Sequence, residues 1–221
     1  MIDAETGQEL RRFVGHRDFV LSMALSGDGR TLFTGSADKT ARQWDVESGR
    51  EIRSYPVKTD WVYSIAVTRD GARLFTGSDK TQMWDTASGE MLSELQWKTD
   101  WVHSLTLSAD SRYLFAALSG KSVVMWDVAG RGKAALFKGH RSNVLSLALS
   151  ADERRLVSGG DDPNLLVWEI PDPSELPAPV EEKIEAPPQD AVMMPGREPE
   201  KEEKPTAQPS GSEAGQRSPA R

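Results

Sequence analysis

The sequence predicts an all-β protein made of four repeated units, each a small sheet of antiparallel strands. The first unit contains TLFTGSADKTARQWDVESG at residues 31–49, where two apolar runs flank a Gly-Ser-Ala-Asp-Lys turn and so indicate a β-hairpin. Similar stretches end at Gly89, Gly130 and Ile170, and their tryptophans, at positions 44, 84, 126 and 168, are spaced by 40, 42 and 42 residues. A period of about 40–45 residues with four strands per unit is the signature of a propeller blade. The chain is therefore expected to form a β-propeller of about four blades, each a four-stranded antiparallel sheet.

Four further segments, one in each unit, alternate small and large side chains at period two. They span residues 20–25, 62–67, 102–107 and 144–149. Strands beside the axis of a propeller are covered on both sides by neighbouring blades, so they carry nearly continuous apolar runs with small residues where space is tight. These segments are therefore expected to be the innermost strands of their blades.

The repeats define a folded domain over residues 1–170, with blades at about residues 15–56, 57–97, 98–138 and 139–170. Because Pro171 and Pro173 cannot continue a paired strand, the last blade lacks an outer strand. Residues 8–14 form a lone outer strand at the other end, and their pairing with the last blade would close the ring and remove an exposed edge. Two alternatives stay open: an incomplete propeller that needs another chain to close, or a homodimer if the ring does not close.

Residues 171–221 differ in composition from the repeats. They contain 11 of the 13 prolines and no Trp, Tyr or Phe. Such a segment cannot bury enough apolar surface to offset the entropy lost on ordering. It is predicted to be a disordered Pro/Glu-rich tail.

Composition also narrows the classes of function. The net charge of −7 argues against a nucleic-acid partner. The absence of cysteine excludes disulfides, thiolate catalysis and cysteine metal sites. No segment approaches the roughly 20 apolar residues of a membrane span, and the N-terminus does not resemble a signal peptide. No membrane partner and a cytoplasmic location are expected, and a nuclear location is also compatible.

Several motifs carry a resemblance to the WD-repeat β-propeller family over residues 3–170: Gly15-His16, Trp44-Asp45 and the Asp-Lys-Thr turns at 38–40 and 79–81. In that family a His, a Ser or Thr, an Asp and a Trp form a buried hydrogen-bonded tetrad in each blade. The resemblance implies two complete tetrads here, formed by His16, Thr34, Asp38 and Trp44 in blade one and by His140, Ser158, Asp162 and Trp168 in blade four.

The two middle blades depart from the tetrad pattern. Blade two keeps Thr76, Asp79 and Trp84, but Lys58 stands where the resemblance places the His. Blade three keeps Trp126, with Lys98, Ala116 and Gly120 at the other positions. A partly satisfied buried network is costly, so both lysines are expected to turn towards water.

The residue types His140, Ser158 and Asp162 are also those of a hydrolase triad. A nucleophile needs an exposed oxygen, whereas a hydroxyl bonded to a buried His and Trp is committed to structure. The same set recurs in blade one with Thr34, which favours a packing device over a single active site. No catalytic residue is therefore expected, and the hydrolase is kept as the alternative.

Two near-identical segments mark the middle blades: Lys58-Thr59-Asp60-Trp61-Val62 and Lys98-Thr99-Asp100-Trp101-Val102. The resemblance places these loops on the partner-binding rim of the ring, and a Trp beside charged groups is typical of a binding hot spot. The alternative is that the two tryptophans fill a channel mouth left loose by the missing tetrads. The candidate partner-binding residues are Phe19, Asp60, Trp61, Tyr63, Asp100, Trp101, His103 and Asn143.

The sequence thus favours a non-enzymatic scaffold whose rim binds a protein or peptide partner. It indicates no cofactor. It also indicates no metal site, since no second His or acid has ligand spacing to His103.

Overall fold

The computed structural model describes residues 1–58, 60–95, 100–129 and 132–171. The predicted tail lies outside the described residues, apart from Pro171. Within them the protein is all-β, with fifteen strands in four antiparallel sheets arranged as propeller blades. The predicted fold class is confirmed.

The strands follow one another through the blades in chain order. Their bounds are β1 (Val20–Leu25), β2 (Thr31–Ser36), β3 (Thr40–Asp45) and β4 (Glu51–Pro56) in blade one; β5 (Ser64–Val67), β6 (Arg73–Gly77), β7 (Thr81–Asp85) and β8 (Met91–Leu95) in blade two; β9 (Val102–Leu107), β10 (Tyr113–Leu118), β11 (Ser122–Asp127) and β12 (Gly132–Lys138) in blade three; and β13 (Val144–Leu149), β14 (Arg155–Gly160) and β15 (Leu166–Glu169) in blade four.

The hairpin predicted within residues 31–49 is formed by β2 and β3. Its register places Leu32 opposite Trp44 and Gly35 opposite Ala41. Lys39, in the turn between the strands, has φ of 65°, the left-handed conformation that tight turns use. Ala41 and Trp44 are three residues apart and so point to opposite faces of β3, and both are buried, at 0% and 1% exposed.

Neighbouring blades pack through their innermost strands. β1 packs on β5, β5 on β9 and β9 on β13, and apolar clusters fill the spaces between consecutive blades. Backbone hydrogen bonds cross two of these boundaries: the Val62 amide donates to the Ser36 carbonyl at 3.0 Å and the Val102 amide to the Ser78 carbonyl at 2.7 Å. Val62 thus bonds to the preceding blade, and β5 begins only at Ser64.

The two ends of this series are open. Within the described residues, no comparable packing joins β13 back to β1. Met23 on β1 is 72% exposed, whereas Ile65 and Leu105, at the equivalent places on β5 and β9, are 5% and 7% exposed. The four blades of one chain therefore form an arc with two apolar end faces.

The expectation that residues 8–14 close the last blade of the same chain is not met. In the described part of the chain, the sheet of blade four has three strands, and β15 pairs with β14 alone. Residues 8–14 lie against blade one instead, because the Phe13 ring packs edge-on to Trp44 at 5.9 Å and the Arg11 guanidinium donates to the Val46 carbonyl at 3.0 Å. The predicted pairing of residues 8–14 with blade four of the same chain is therefore wrong.

The strands account for all regular structure in the described residues. No helix there has the length and apolarity needed to cross a membrane.

Candidate functional site

The structure brings the four tetrad residues of blade one into hydrogen-bond contact. His16 Nδ1 lies 2.9 Å from Asp38 Oδ2, and His16 Nε2 lies 2.7 Å from Thr34 Oγ1. The indole N–H of Trp44 donates to the same Thr34 oxygen at 2.8 Å. One assignment of donors and acceptors satisfies every group: the indole N–H donates to the hydroxyl, the hydroxyl donates to Nε2, and Nδ1–H donates to the carboxylate.

Blade four contains the same arrangement. His140 Nδ1 lies 2.8 Å from Asp162 Oδ2, and its Nε2 lies 2.7 Å from Ser158 Oγ. The Trp168 indole donates to Ser158 Oγ at 2.8 Å, so that hydroxyl is engaged on both sides. Ser158 is 1% exposed, which leaves its oxygen without access to a substrate.

The tetrad carboxylates are held ionised. Burial raises the pKa of Asp38, but hydrogen bonds from the Thr40 hydroxyl, the Arg17 amide and His16 outweigh it and leave that pKa well below its usual range. For Asp162, hydrogen bonds from His140 and the Arg141 amide lower the pKa to about 2.

In blade two, the structure keeps part of the network. The Trp84 indole donates to Thr76 Oγ1 at 3.0 Å, and Lys58 is exposed to solvent. The Trp84 ring packs edge-on to Tyr55 of blade one at 5.8 Å. Burial raises the pKa of Tyr55 to about 12, and its hydroxyl donates to Gln43 Oε1 at 2.7 Å.

Blade three has lost the tetrad chemistry at the described positions. Ala116 is 1% exposed beneath the buried Trp126 and offers no hydroxyl, and the Asp100 carboxylate lies directly against Gly120, where it leaves no room for a side chain. Lys98 lies outside the described residues.

Four aromatic rings at or just after the two near-identical segments of the middle blades contact one another. We call them the aromatic cluster: Trp61, Tyr63, Trp101 and His103. The Tyr63 ring is central, with centroids 6.0 Å from Trp61, 5.5 Å from Trp101 and 5.8 Å from His103. Trp61 and Trp101 are 44% and 42% exposed. The cluster thus offers two half-exposed indoles to solvent, a geometry suited to stacking against a ligand group.

Backbone contacts fix the loop that carries Trp101. The Trp101 amide donates to Ser119 Oγ at 2.9 Å, and the Ser119 amide donates to the Trp101 carbonyl at 3.0 Å. On the other loop, the Trp61 amide donates to Asp60 Oδ1 at 2.7 Å. The loop of Trp101 is therefore held to Ser119 through its backbone, and the loop of Trp61 is held to blade one through the adjacent Val62 amide.

One acid acts electrostatically on each of two rings of the aromatic cluster. Burial raises the pKa of Tyr63, and the charge of Asp60 raises it further. Burial lowers the pKa of His103, and the charge of Asp161 partly opposes that shift. Asp161 was missed by sequence reasoning, although its place next to the tetrad Asp162 is a readable signal.

Phe19 and Asn143 occupy the places in blades one and four that correspond to the tryptophans. The Ala37 amide donates to the Phe19 carbonyl at 2.9 Å, and the Asp161 amide donates to the Asn143 carbonyl at 3.0 Å, as Ser119 does to Trp101. Phe19 is 75% exposed and makes no ring contact with the cluster among the described residues. The structure therefore separates Phe19 from the cluster.

The described residues contain no group of three or more His, Asp or Glu side chains placed to hold a metal ion.

Comparison with known protein families identifies the family of this chain. The family model described as WD domain, G-beta repeat matches residues 7–45, 49–85, 89–127 and 133–169, which is well over half of the chain. The protein belongs to the WD-repeat family, whose propellers are typically non-enzymatic and generally bind proteins or peptides. No curated protein matches the chain.

Proposed function

We propose that this protein is a non-enzymatic interaction scaffold and that the aromatic cluster binds its protein or peptide partner. The observation that carries the proposal is the run of ring contacts from Trp61 through Tyr63 to Trp101, which joins two blades and leaves both indoles about half exposed. Tryptophan is enriched at hot spots because a large rigid ring gains much contact area for little entropy.

The exposure of the two indoles weighs against the channel-filling alternative. A ring that only filled a void would be buried like Trp44, which is 1% exposed, whereas Trp61 is 44% exposed. Half-exposed aromatic rings beside each other leave apolar surface in water, and a partner would cover it.

The charges around the cluster favour a basic side chain on the partner. Asp60 and Asp161 act on Tyr63 and His103 respectively. A cation over an indole face is attracted by the ring quadrupole, and nearby carboxylates add to that attraction. The ligand we propose is therefore a Lys- or Arg-containing peptide segment. The net charge of −7 argues against nucleic acid.

The hydrolase alternative is opposed by the engagement of Ser158. Ser158 is 1% exposed, and its Oγ already accepts a hydrogen bond from the Trp168 indole N–H and lies 2.7 Å from His140 Nε2. An activity-based serine probe is expected to leave the native protein unlabelled, and labelling at Ser158 would overturn the non-enzymatic assignment.

The binding test is an array of peptides with single Lys or Arg residues, each paired with its Ala-substituted counterpart. The full-length protein is expected to bind a subset of the basic peptides, and Trp101→Ala to lose that binding at least tenfold while its thermal unfolding stays within a few degrees. Phe19→Ala removes another exposed aromatic ring and serves as the matched control. Wild-type peptide binding by Phe19→Ala together with lost binding by Trp101→Ala supports the proposal. Equal loss of binding in both variants, or a wild type that binds no basic peptide, contradicts it.

A further inference from the structure

Two of the three boundaries between blades repeat one contact, in which a valine and a larger apolar residue of one blade cover a glycine of the preceding blade; at the third boundary Ala117 stands at the place of the glycine. A Cβ built on Gly35 would lie 2.7 Å from Val62 Cγ1 and 3.1 Å from Ile65 Cγ2. A Cβ on Gly77 would lie 2.8 Å from Val102 Cγ1 and 3.3 Å from Leu105 Cδ1. The absent side chain is the space that the next blade occupies. We call this the valine–glycine contact.

The two ends of the arc carry the two halves of this contact. Gly159 stands at the equivalent place in blade four, and the described residues put only Leu165 of its own blade within reach of a Cβ there. Val20 and Met23 stand at the equivalent places in blade one, and they are 48% and 72% exposed. Val62, which makes the contact, is fully buried. One end lacks the valine and the other lacks the glycine.

A second pair of half-contacts lies on the outer strands. Each matched repeat from the second onwards begins with the strand that completes the preceding blade: the repeat at 49–85 begins with β4, which pairs with β3. β4 then reaches the following blade, because the Arg53 guanidinium donates to the Ala87 and Ser88 carbonyls at 2.8 Å each and Tyr55 packs on Trp84.

Residues 8–14 make similar contacts on blade one, although they belong to none of the four sheets. Arg11 donates to the Val46 carbonyl as Arg53 does to Ala87 and Ser88, and Phe13 packs on Trp44 as Tyr55 does on Trp84. The segment therefore lies where the outer strand of a preceding blade lies.

Blade four shows the matching vacancy in its sheet. Its described part has three strands, and the outer strand β15 presents an unpaired edge. Leu165 and Val167 there are 76% and 61% exposed. An apolar strand with an unpaired edge is a template for a strand of another chain.

We infer that a second copy of this chain covers both end faces. Residues 8–14 of one copy pair with β15 of the other, and Val20 and Met23 of the first cover Gly159 of the second. Because each chain carries both halves at opposite ends, a twofold axis makes two identical head-to-tail contacts and leaves no open face. The product is an eight-blade ring of two chains, and eight blades is within the range of about four to eight that propellers use.

The absence of cysteine from the chain allows a direct covalent test in the full-length protein. In the internal contact, a Cβ on Gly77 would lie 3.2 Å from Val102 Cβ, close to the roughly 3.5–4.5 Å that a disulfide spans. The variant Val20→Cys/Gly159→Cys is therefore expected to oxidise to a covalent dimer of about 49 kDa on a non-reducing gel, twice the chain mass of 24.4 kDa.

Two controls frame this result. The single variants Val20→Cys and Gly159→Cys are expected to remain uncrosslinked, since the residue that faces the new cysteine in the other copy carries no thiol. The internal pair Gly77→Cys/Val102→Cys is expected to oxidise within one chain and run at the monomer mass. An intrachain product from Val20→Cys/Gly159→Cys would mean that the arc closes on itself and would overturn the inference, as would the absence of any crosslink.

Light scattering gives an independent readout that needs no cysteine. The wild-type chain is expected at about 49 kDa, and Met23→Glu at its monomer mass of 24.4 kDa. Since Met23 is exposed in the single chain, this substitution leaves the internal packing unchanged, and the variant should still unfold cooperatively. A monomeric wild type, or a Met23→Glu variant that remains a dimer, would overturn the inference.

Discussion

Removal of the Trp44 indole tests whether the tetrad of blade one stabilises the fold. Trp44 is 1% exposed and packs edge-on against Phe13 and His16, both at 5.9 Å. Trp44→Ala opens a large cavity, and replacements of this kind cost about 3–5 kcal/mol. It also leaves one side of the buried Thr34 hydroxyl unsatisfied, which costs a further roughly 1–3 kcal/mol.

Blade three supplies a matched comparison. Trp126 is almost as buried, at 6% exposed, but Ala116 stands where Thr34 stands in blade one. Trp126→Ala therefore opens a similar cavity without stranding a hydroxyl at that position. We expect Trp44→Ala to lower the unfolding free energy more than Trp126→Ala, by about 1–3 kcal/mol. Trp168→Ala is expected to cost less than Trp44→Ala, because Trp168 is only half-buried.

The assay is urea unfolding of the three variants and the wild type, followed by circular dichroism. The comparison uses the midpoints at a common m value, since a changed m would indicate a changed unfolded or native state. Equal losses for Trp44→Ala and Trp126→Ala would refute the reasoning, because the hydrogen bond from Trp44 to Thr34 would then contribute nothing to stability.

The remaining predictions concern packing and titration. Gly35→Ala is expected to lower the melting temperature, because its Cβ would lie 2.7 Å from Val62; overpacking of this kind costs about 1–3 kcal/mol. Gly159→Ala, which meets only a flexible side chain, is expected to leave the stability of the single chain nearly unchanged. Because the folded-state pKa of Asp162 is about 2 against an ordinary 3.8, its ionised form stabilises the protein fully above about pH 4, and that stability is lost as the pH falls towards 2; Asp162→Asn should reduce the fall of the melting temperature over this window. His103 is expected to titrate below its ordinary pKa of 6.5 by NMR, and a midpoint above 6.5 would contradict its burial.

The repeat period and the tetrad residues were accessible from sequence because both are local patterns. Trp44 and Trp168 each lie ten residues after their hydroxyl partner on an adjacent strand of one hairpin, so the hairpin register alone brings them together. The aromatic cluster was partly accessible, since Trp61 and Trp101 follow the same motif.

The closure of the arc was not accessible, because it depends on contacts between distant parts of the chain. The pattern of residues 8–14 indicates an outer strand, and that property says nothing about which sheet edge is within reach. Phe19 is separate from the aromatic cluster because Leu21 stands in blade one where Tyr63 bridges the tryptophans of blades two and three. Sequence periodicity predicts the strands of each blade, whereas the way the blades close into a ring depends on packing between them.

The most direct test of the proposed function follows the seven tryptophans individually by the indole N–H signals of a ¹⁵N-labelled sample. A basic peptide that the protein selects from the array is titrated into it. The account predicts that the indole signals of Trp61 and Trp101 shift, while those of Trp44 and Trp168, held by their tetrad hydroxyls, stay in place. A titration that shifts the tetrad indoles and leaves those of Trp61 and Trp101 unchanged would contradict it.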